Sequence, residues 1–221
     1  MPYKINIHAH SFFSDGQNSP YIMAKTAQSL GFSALVLTDH YYNGDFPNVA
    51  MSLDKMGSYG RAIEEAEMVL PVIRGMEAPF FGEEVLVFGE TAITEIMEKG
   101  GIKDYNHLKE IRENHRCAIV LCHPNSHYED FIALLDGYER YNSGQDEFSA
   151  RMEDLEPLVG LQAWYNSDAH GAVMLSLCYN LTEDEITTEE QLIEYIKSGK
   201  VNDYEVTSVD EIRENGIKFI D

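Results

Sequence analysis

Cysteine is scarce in this chain. Cys117, Cys122 and Cys178 are the whole complement of 221 residues, odd in number and without a Cys-x-x-Cys pair. That excludes a disulfide framework and a sulfur-rich structural zinc site, and it suits a reducing compartment. The three thiols read as small buried apolar groups. Cationic side chains are also few. Sixteen Lys and Arg against 38 Asp and Glu give a formal charge of −22. No Lys/Arg-rich stretch is present to follow a phosphate backbone, which excludes long nucleic acid as a partner. Long apolar runs are missing as well. Only Lys4 is charged between Met1 and Ile7, so neither a signal peptide nor a transmembrane helix is expected; the expected location is cytoplasmic, with no membrane partner. Without repeats, low-complexity tracts or linkers, residues 1–221 are expected to form a single domain. Nothing in the sequence speaks to oligomeric state.

Most of the acidity, in Glu64-Glu65, Glu83-Glu84, Glu183-Asp184-Glu185 and Glu189-Glu190, reads as a solvated face. The remainder is available to hold divalent cations. Strand and helix signals alternate along the chain. Strands are expected at residues 3–7, 34–37, 72–76, 85–88, 117–122, 137–141 and 161–165. Helices are expected from the Ser19-Pro20 start to Gly31, and at 61–68, 105–114, 131–135, 148–158 and 189–197, the last opened by a capping box of Thr187 with Glu190. Such alternation implies a parallel sheet with covering helices, an α/β fold.

The chemistry gathers at the ends of those strands. His8-Ala9-His10 and Asp168-Ala169-His170 each place two metal-ligand groups at i and i+2, where an extended backbone aims them at one side of a sheet. His40 follows the second strand, Glu77 the third, and His123 the apolar run ending at Cys122. The C-terminal rim of a barrel is where strand-to-helix loops assemble active sites. Mixed imidazole and carboxylate donors suit Zn, Mn or Fe.

Together, His8-Ala9-His10-Ser11 with Ser14-Asp15-Gly16, Thr38-Asp39-His40, Gly75-Met76-Glu77, Cys122-His123-Pro124, residues 136–142 (Asp-Gly-Tyr-Glu-Arg-Tyr-Asn) and Ser167-Asp168-Ala169-His170 resemble the PHP (polymerase and histidinol phosphatase) superfamily of metal-dependent phosphoesterases. The resemblance covers about residues 5 to 200. It implies a distorted (β/α)7 barrel with two or three divalent metals at its C-terminal rim. It also implies that His8, His10, Glu77 and Asp168 hold one metal and Asp15, His40 and His170 a second, with Glu77 bridging. His123 would serve a third metal. Members with three metals supply another histidine on the strand after the bridging Glu, and residues 83–89 contain none. His127, four residues past His123, reads as a loop histidine.

The expected reaction is hydrolysis of a phosphate ester of a small molecule. A hydroxide shared by two metals would attack phosphorus, and the metals would screen the phosphoryl oxygens. Asp15 and His123 are the candidates for proton transfer to the leaving oxygen. Arg74 and Arg140 are candidates to hold the phosphate. Asn125 and Asn142 read as turn residues, and residues 41–59 as a loop over the site. Three alternatives stay open: a short-oligonucleotide exonuclease or nucleotide phosphodiesterase, a non-catalytic metal-binding module, and a TIM-type amidohydrolase.

Overall fold

A computed structural model describes residues 2–41, 55–124, 129–144, 158, 160–200 and 202–208. The first strand, Tyr3–Ile5 (β1), continues as a segment without a regular ladder through residues 6–10. Ser19 then caps the helix Pro20–Ser29 (α1), its Oγ accepting from the Ile22 N–H, with Pro20 at the first helical position. The strand Leu35–Leu37 (β2) is buried on both faces. The helix Met56–Glu67 (α2) starts before the expected residue 61. It is followed by a hairpin of Val72–Phe80 (β3) and Glu83–Phe88 (β4). Two helices come next, Glu90–Lys99 (α3), which the sequence pattern does not announce, and Tyr105–Asn114 (α4). The strand Ala118–Cys122 (β5) leads to a 3-10 segment, Glu129–Leu134, where a short helix is expected from sequence. The strands Gly137–Asn142 (β6) and Gln162–Asn166 (β7) flank the expected helix at 148–158, which lies outside the described residues apart from Leu158. The described residues continue with the strand Cys178–Thr182 (β8), the helix Glu189–Lys197 (α5) and the strand Asp203–Val206 (β9).

The capping box of α5 is one residue later than its expected position. Thr188, not Thr187, is the N-cap, and its side chain accepts from the Gln191 N–H while the Gln191 side chain accepts from the Thr188 N–H. Thr187-x-x-Glu190 and Thr188-x-x-Gln191 both fit the motif, and the extended backbone of Thr188 decides between them.

Six strands form one sheet in the order β2-β3-β4-β5-β6-β7, with β2–β3, β5–β6 and β6–β7 parallel. The expectation of a wholly parallel sheet is corrected at β4, which runs antiparallel to both β3 and β5. Phe81 and Gly82, the only residues between β3 and β4, both have positive φ, 51° and 83°. A two-residue turn of that hand makes a hairpin, whereas a parallel crossover needs a dozen or more residues. β1, β8 and β9 form a separate antiparallel sheet.

Residues 8–10 connect the two edges of the six-stranded sheet. The Thr38 N–H donates to Ala9 O at 2.8 Å beside β2, and the His10 N–H donates to Ala169 O at 2.9 Å beyond β7. The sheet therefore curls into a half-barrel that the first ligand segment spans, a distorted TIM-like fold. Ile5, Ile7, Val36, Ile73, Leu86, Val120 and the fully buried Trp164 fill the inside. Leu192, Ile193 and Ile196 of α5 join that cluster together with Phe88 and Ala118, the β4–β5 register pair farthest from Glu84 and Cys122. No helix among the described residues is long and apolar enough to cross a membrane.

Candidate metal centre

Glu77 lies within β3 rather than at its end, at the point where β2 gives way and His40 forms an isolated bridge to it. Alternation along β3 turns Ile73, Gly75 and Glu77 inward and Arg74 and Met76 outward. The Glu77 side chain is fully buried. Its Oε2 stands 3.2 Å from His8 Nε2, 3.2 Å from His10 Nε2 and 2.9 Å from His40 Nδ1, and its Oε1 stands 3.0 Å from His123 Nε2. Asp168 Oδ1 approaches the same pair of imidazoles, 3.3 Å from His8 Nε2 and 3.0 Å from His10 Nε2.

A second group adjoins the first. His10, Asp15, His40 and His170 each bring one ligand atom within 4.8 Å of the others. Asp15 Oδ1 is 3.3 Å from His170 Nε2, and Asp15 Oδ2 is 3.5 Å from His40 Nε2. The His10 ring packs against the rings of both His40 and His170, at centroid distances of 4.3 and 4.4 Å. All eight residues singled out as ligands from the sequence are thus brought together.

The donor atoms fit cations better than they fit one another. His10 Nδ1, Glu77 Oε2 and Asp168 Oδ1 are buried without a hydrogen-bond partner, although nitrogen or oxygen atoms lie close by. A buried polar atom left in that state is costly. His8 Nε2 and His10 Nε2 face each other at 3.1 Å. Donors set tetrahedrally around a cation at about 2.0 Å stand about 3.3 Å apart, close to the 3.0–3.3 Å edges of the triangles that His8 and His10 make with Glu77 and with Asp168.

The backbone contributes to this placement. His123 and Asp168 have positive φ, 28° and 50°, unusual for side chains with a Cβ. Gly144 leaves room for Asp168, since a Cβ there would sit 2.9 Å from the aspartate Cβ. Gly16 does the same for the Asp15 turn, where a Cβ would lie 2.3 Å from His10 O.

Two buried carboxylates with no role assigned from sequence hold the candidate ligands in place. Glu139 of β6 accepts from His8 Nδ1 at 2.8 Å, from the His123 N–H at 2.8 Å, and from the amides of Asn142 and Asn166, each at 2.9 Å. A carboxylate behind a ligating imidazole fixes its tautomer and raises its basicity. Asp39 accepts from the Ser11 N–H and from the Ser14 hydroxyl, both at 2.7 Å, which fixes the turn carrying Asp15. The signal for Glu139 was the inward parity of β6, with Tyr138 and Arg140 on the opposite face. Asn142 belongs to this network rather than serving only as a turn residue.

The structure does not bring Arg74 or Arg140 to the cluster. Arg74 faces outward and pairs with Glu90. Arg140 donates to Tyr138 Oη at 3.3 Å on the outer face of β6. In each case strand parity separates the arginine from a neighbouring inward carboxylate, Glu77 or Glu139. Asn125, His127 and most of the 41–59 loop lie outside the described residues. Two further readings change. Glu83 and Glu84 are not a solvated pair, since Glu83 is buried and Glu84 Oε2 stands 3.5 Å from His123 Nε2. Cys122 is buried as expected, but its thiol also donates to Glu77 Oε1 at 3.3 Å.

The cluster is strongly coupled in its metal-free form. Burial by itself would lower the His40 imidazole, yet Asp15 and Glu77 outweigh it and raise it to about 10. Burial likewise opposes the shift at His123, which Glu77 and Glu139 raise to about 9. Glu77, against its own burial, is held well below the carboxylate range by His8 and the other imidazoles. Asp15 is lowered by His170 and His40, and Asp168 by His8 and His10, again against burial.

These shifts give a pH dependence of defined sign. Imidazoles raised from 6.5 toward 9–10 contribute stability that is complete below about pH 6.5 and is lost as pH climbs through the folded values. Metal-free protein should therefore lose thermal stability between about pH 6.5 and 8.5, below the range where thiols and phenols titrate. Metal binding requires neutral imidazoles, so the melting temperatures of loaded and metal-free protein should diverge over the same interval. Thermal melts at stepped pH measure this, and a metal-free melting temperature that is flat or rising across the interval would contradict it.

The PHP domain family model matches residues 6–211. The chain belongs to the PHP domain family. No curated protein matches the sequence. Solved structures share the fold at low identity. PsfC from Pseudomonas syringae is 14% identical, with 95% of this chain and 93% of that one covered and a TM-score of 0.67. A two-domain protein from Bacteroides vulgatus, described as containing a predicted PHP-like metal-dependent phosphoesterase, is 16% identical, with 96% and 68% covered and a TM-score of 0.61. The lesion-specific endonuclease PfuEndoQ from Pyrococcus furiosus is 14% identical, with 92% and 58% covered and a TM-score of 0.59. This PHP domain accordingly has the fold of metal-dependent phosphoesterase-like proteins, and its clustered His, Asp and Glu side chains form groups able to bind metal ions.

Proposed function

We propose that this PHP domain is a phosphoric ester hydrolase acting on a small phosphorylated molecule with two or three divalent cations, Zn, Mn or Fe. The observation that carries the reading is the convergence of ligand atoms from His8, His10, His40 and His123 on the two oxygens of Glu77, with Asp168 against the same His8 and His10 nitrogens. His8, His10, Glu77 and Asp168 would hold one cation, and Asp15, His40 and His170 the second. When bound, such ions lower the pKa of water toward neutrality and screen a phosphoryl group's charge.

The chain's own residues supply the rest. Glu139 locks the His8 ring through Nδ1 so that Nε2 faces the cluster. Asp39 fixes the turn that presents Asp15. Asp15 and His170, each about one third exposed, border the open side of the cluster, whereas His8, His10 and Glu77 are sealed beneath them. Asp15, a candidate proton donor from the sequence, is held ionised by His170 and His40 and fits a cation ligand instead; where no third cation engages it, His123 would hand the proton to the leaving oxygen. A charge of −22 disfavours a long polyanion, so a small ester is the better substrate class.

Phosphate release from an aryl phosphate with added Mn or Zn tests this reading. Asp168→Ala should lower the rate at least about 100-fold, because a metal ligand is lost. Equal rates in the two proteins would discard the mechanism and leave a non-catalytic metal-binding role. A rate higher on an aryl diester than on the monoester would move the assignment to a phosphodiesterase.

A further inference from the structure

Glu84 sits where a metal ligand would be useful, and the motif reading gave it no part. In the β3–β4 register Leu86 opposes Glu77, and in the β4–β5 register Glu84 opposes Cys122. Leu86 and Phe88 belong to the interior cluster. Strand alternation therefore turns Glu84 inward as well, at the end of β4 nearest the ligands.

The two oxygens of Glu77 face different neighbours. Oε2 faces His8, His10 and His40, while Oε1 faces His123 Nε2 at 3.0 Å. Glu84 Oε2 is 3.5 Å from the same His123 Nε2, and ligand atoms of His40, Glu77 and Glu84 lie within 4.8 Å of one another. Glu77 is fully buried. The nearby Cys122 thiol donates to Glu77 Oε1 at 3.3 Å.

We propose that Glu84 completes a third cation site with Glu77 and His123, and that this site selects Mn over Zn. The selectivity follows from donor type. Two carboxylates and a single imidazole make an oxygen-rich set that suits a harder ion, whereas the position beside His8 and His10 is richer in nitrogen. The inference rests on the metal centre proposed above and adds to it the ligand and the preference of its third position.

Metal content after dialysis against Mn, with the spin resonance of bound Mn followed through a titration, tests the proposal in the whole 221-residue chain. Wild-type protein should hold one more Mn equivalent than Glu84→Gln, whose weakest site should bind at least about 10-fold less tightly. Glu84→His restores a ligand of different chemistry, so it should keep the extra ion but take it as Zn when both metals compete. Equal Mn stoichiometry and affinity in wild type and Glu84→Gln would overturn the third site while leaving the two-cation reading in place. A wild-type protein that binds no metal would overturn both. Zn filling the third position of wild type in competition would overturn the selectivity.

Discussion

Exchanging Glu77 for glutamine is expected to lower phosphoester hydrolysis by about 10³-fold or more, the scale on which a preorganised electrostatic partner at a reacting centre acts. The amide matches the carboxylate in size, so packing inside the half-barrel is retained. It is neutral and keeps a single acceptor oxygen, whereas the native group offers Oε2 to His8, His10 and His40 and Oε1 to His123. Added metal should not restore the rate, because among the described residues Glu77 is the carboxylate that stands against His8, His10, His40 and His123 together. Glu139→Gln gives a contrasting result. Its carboxylate acts through the His8 ring and the His123 backbone, so metal affinity should fall by about 10- to 100-fold and excess metal should recover much of the rate. Steady-state kinetics at rising Mn concentration separates the two variants. A Glu77→Gln protein rescued by metal as readily as Glu139→Gln would contradict the bridging role.

Removing the metals is expected to lower thermal stability substantially. Loaded protein at about 1,000 times the dissociation constant gains about 4 kcal/mol, and a chain of this length loses about 2–4 °C per kcal/mol, so a chelator should reduce the melting temperature by about 8–16 °C. The physical reason is local. Without cations, Glu77, Glu139 and Asp168 are packed together with imidazoles that must carry protons to balance them. Scanning calorimetry with and without chelator, followed by addition of Mn or Zn, should show the loss and its reversal. Identical melts in all conditions would mean that the cluster is satisfied without metal.

Several candidate ligands were legible in the sequence because they follow a short strand and differ in chemistry from what surrounds them. His40 follows Leu35–Leu37, His123 follows Ala118–Cys122, and Asp168 follows Gln162–Asn166. The i, i+2 argument held for His8 and His10, whose Nε2 atoms meet at 3.1 Å. It was incomplete for Asp168-Ala169-His170, where the positive φ of Asp168 sends its carboxylate to the first group while His170 turns to Asp15. The hairpin at Phe81-Gly82 was hidden because Phe is an uncommon occupant of a left-handed turn position, so the antiparallel run of β4 could not be foreseen, and with it the inward course of Glu84. Arg74 and Arg140 misled for a related reason. Proximity in sequence to a motif says little about side when strand parity turns adjacent residues to opposite faces. The pairing of β1 with β8 and of β8 with β9 is non-local and left no periodic trace in the sequence.

Anomalous diffraction from crystals grown with Mn or Zn, recorded at the metal's absorption edge, tests the central claim most directly. Peaks are expected at about 2.0–2.3 Å from His8 Nε2, His10 Nε2 and an oxygen of Asp168, with a further peak among Asp15, His40 and His170 and Glu77 between the two. Well-ordered, metal-soaked crystals with no anomalous density among these side chains would contradict it.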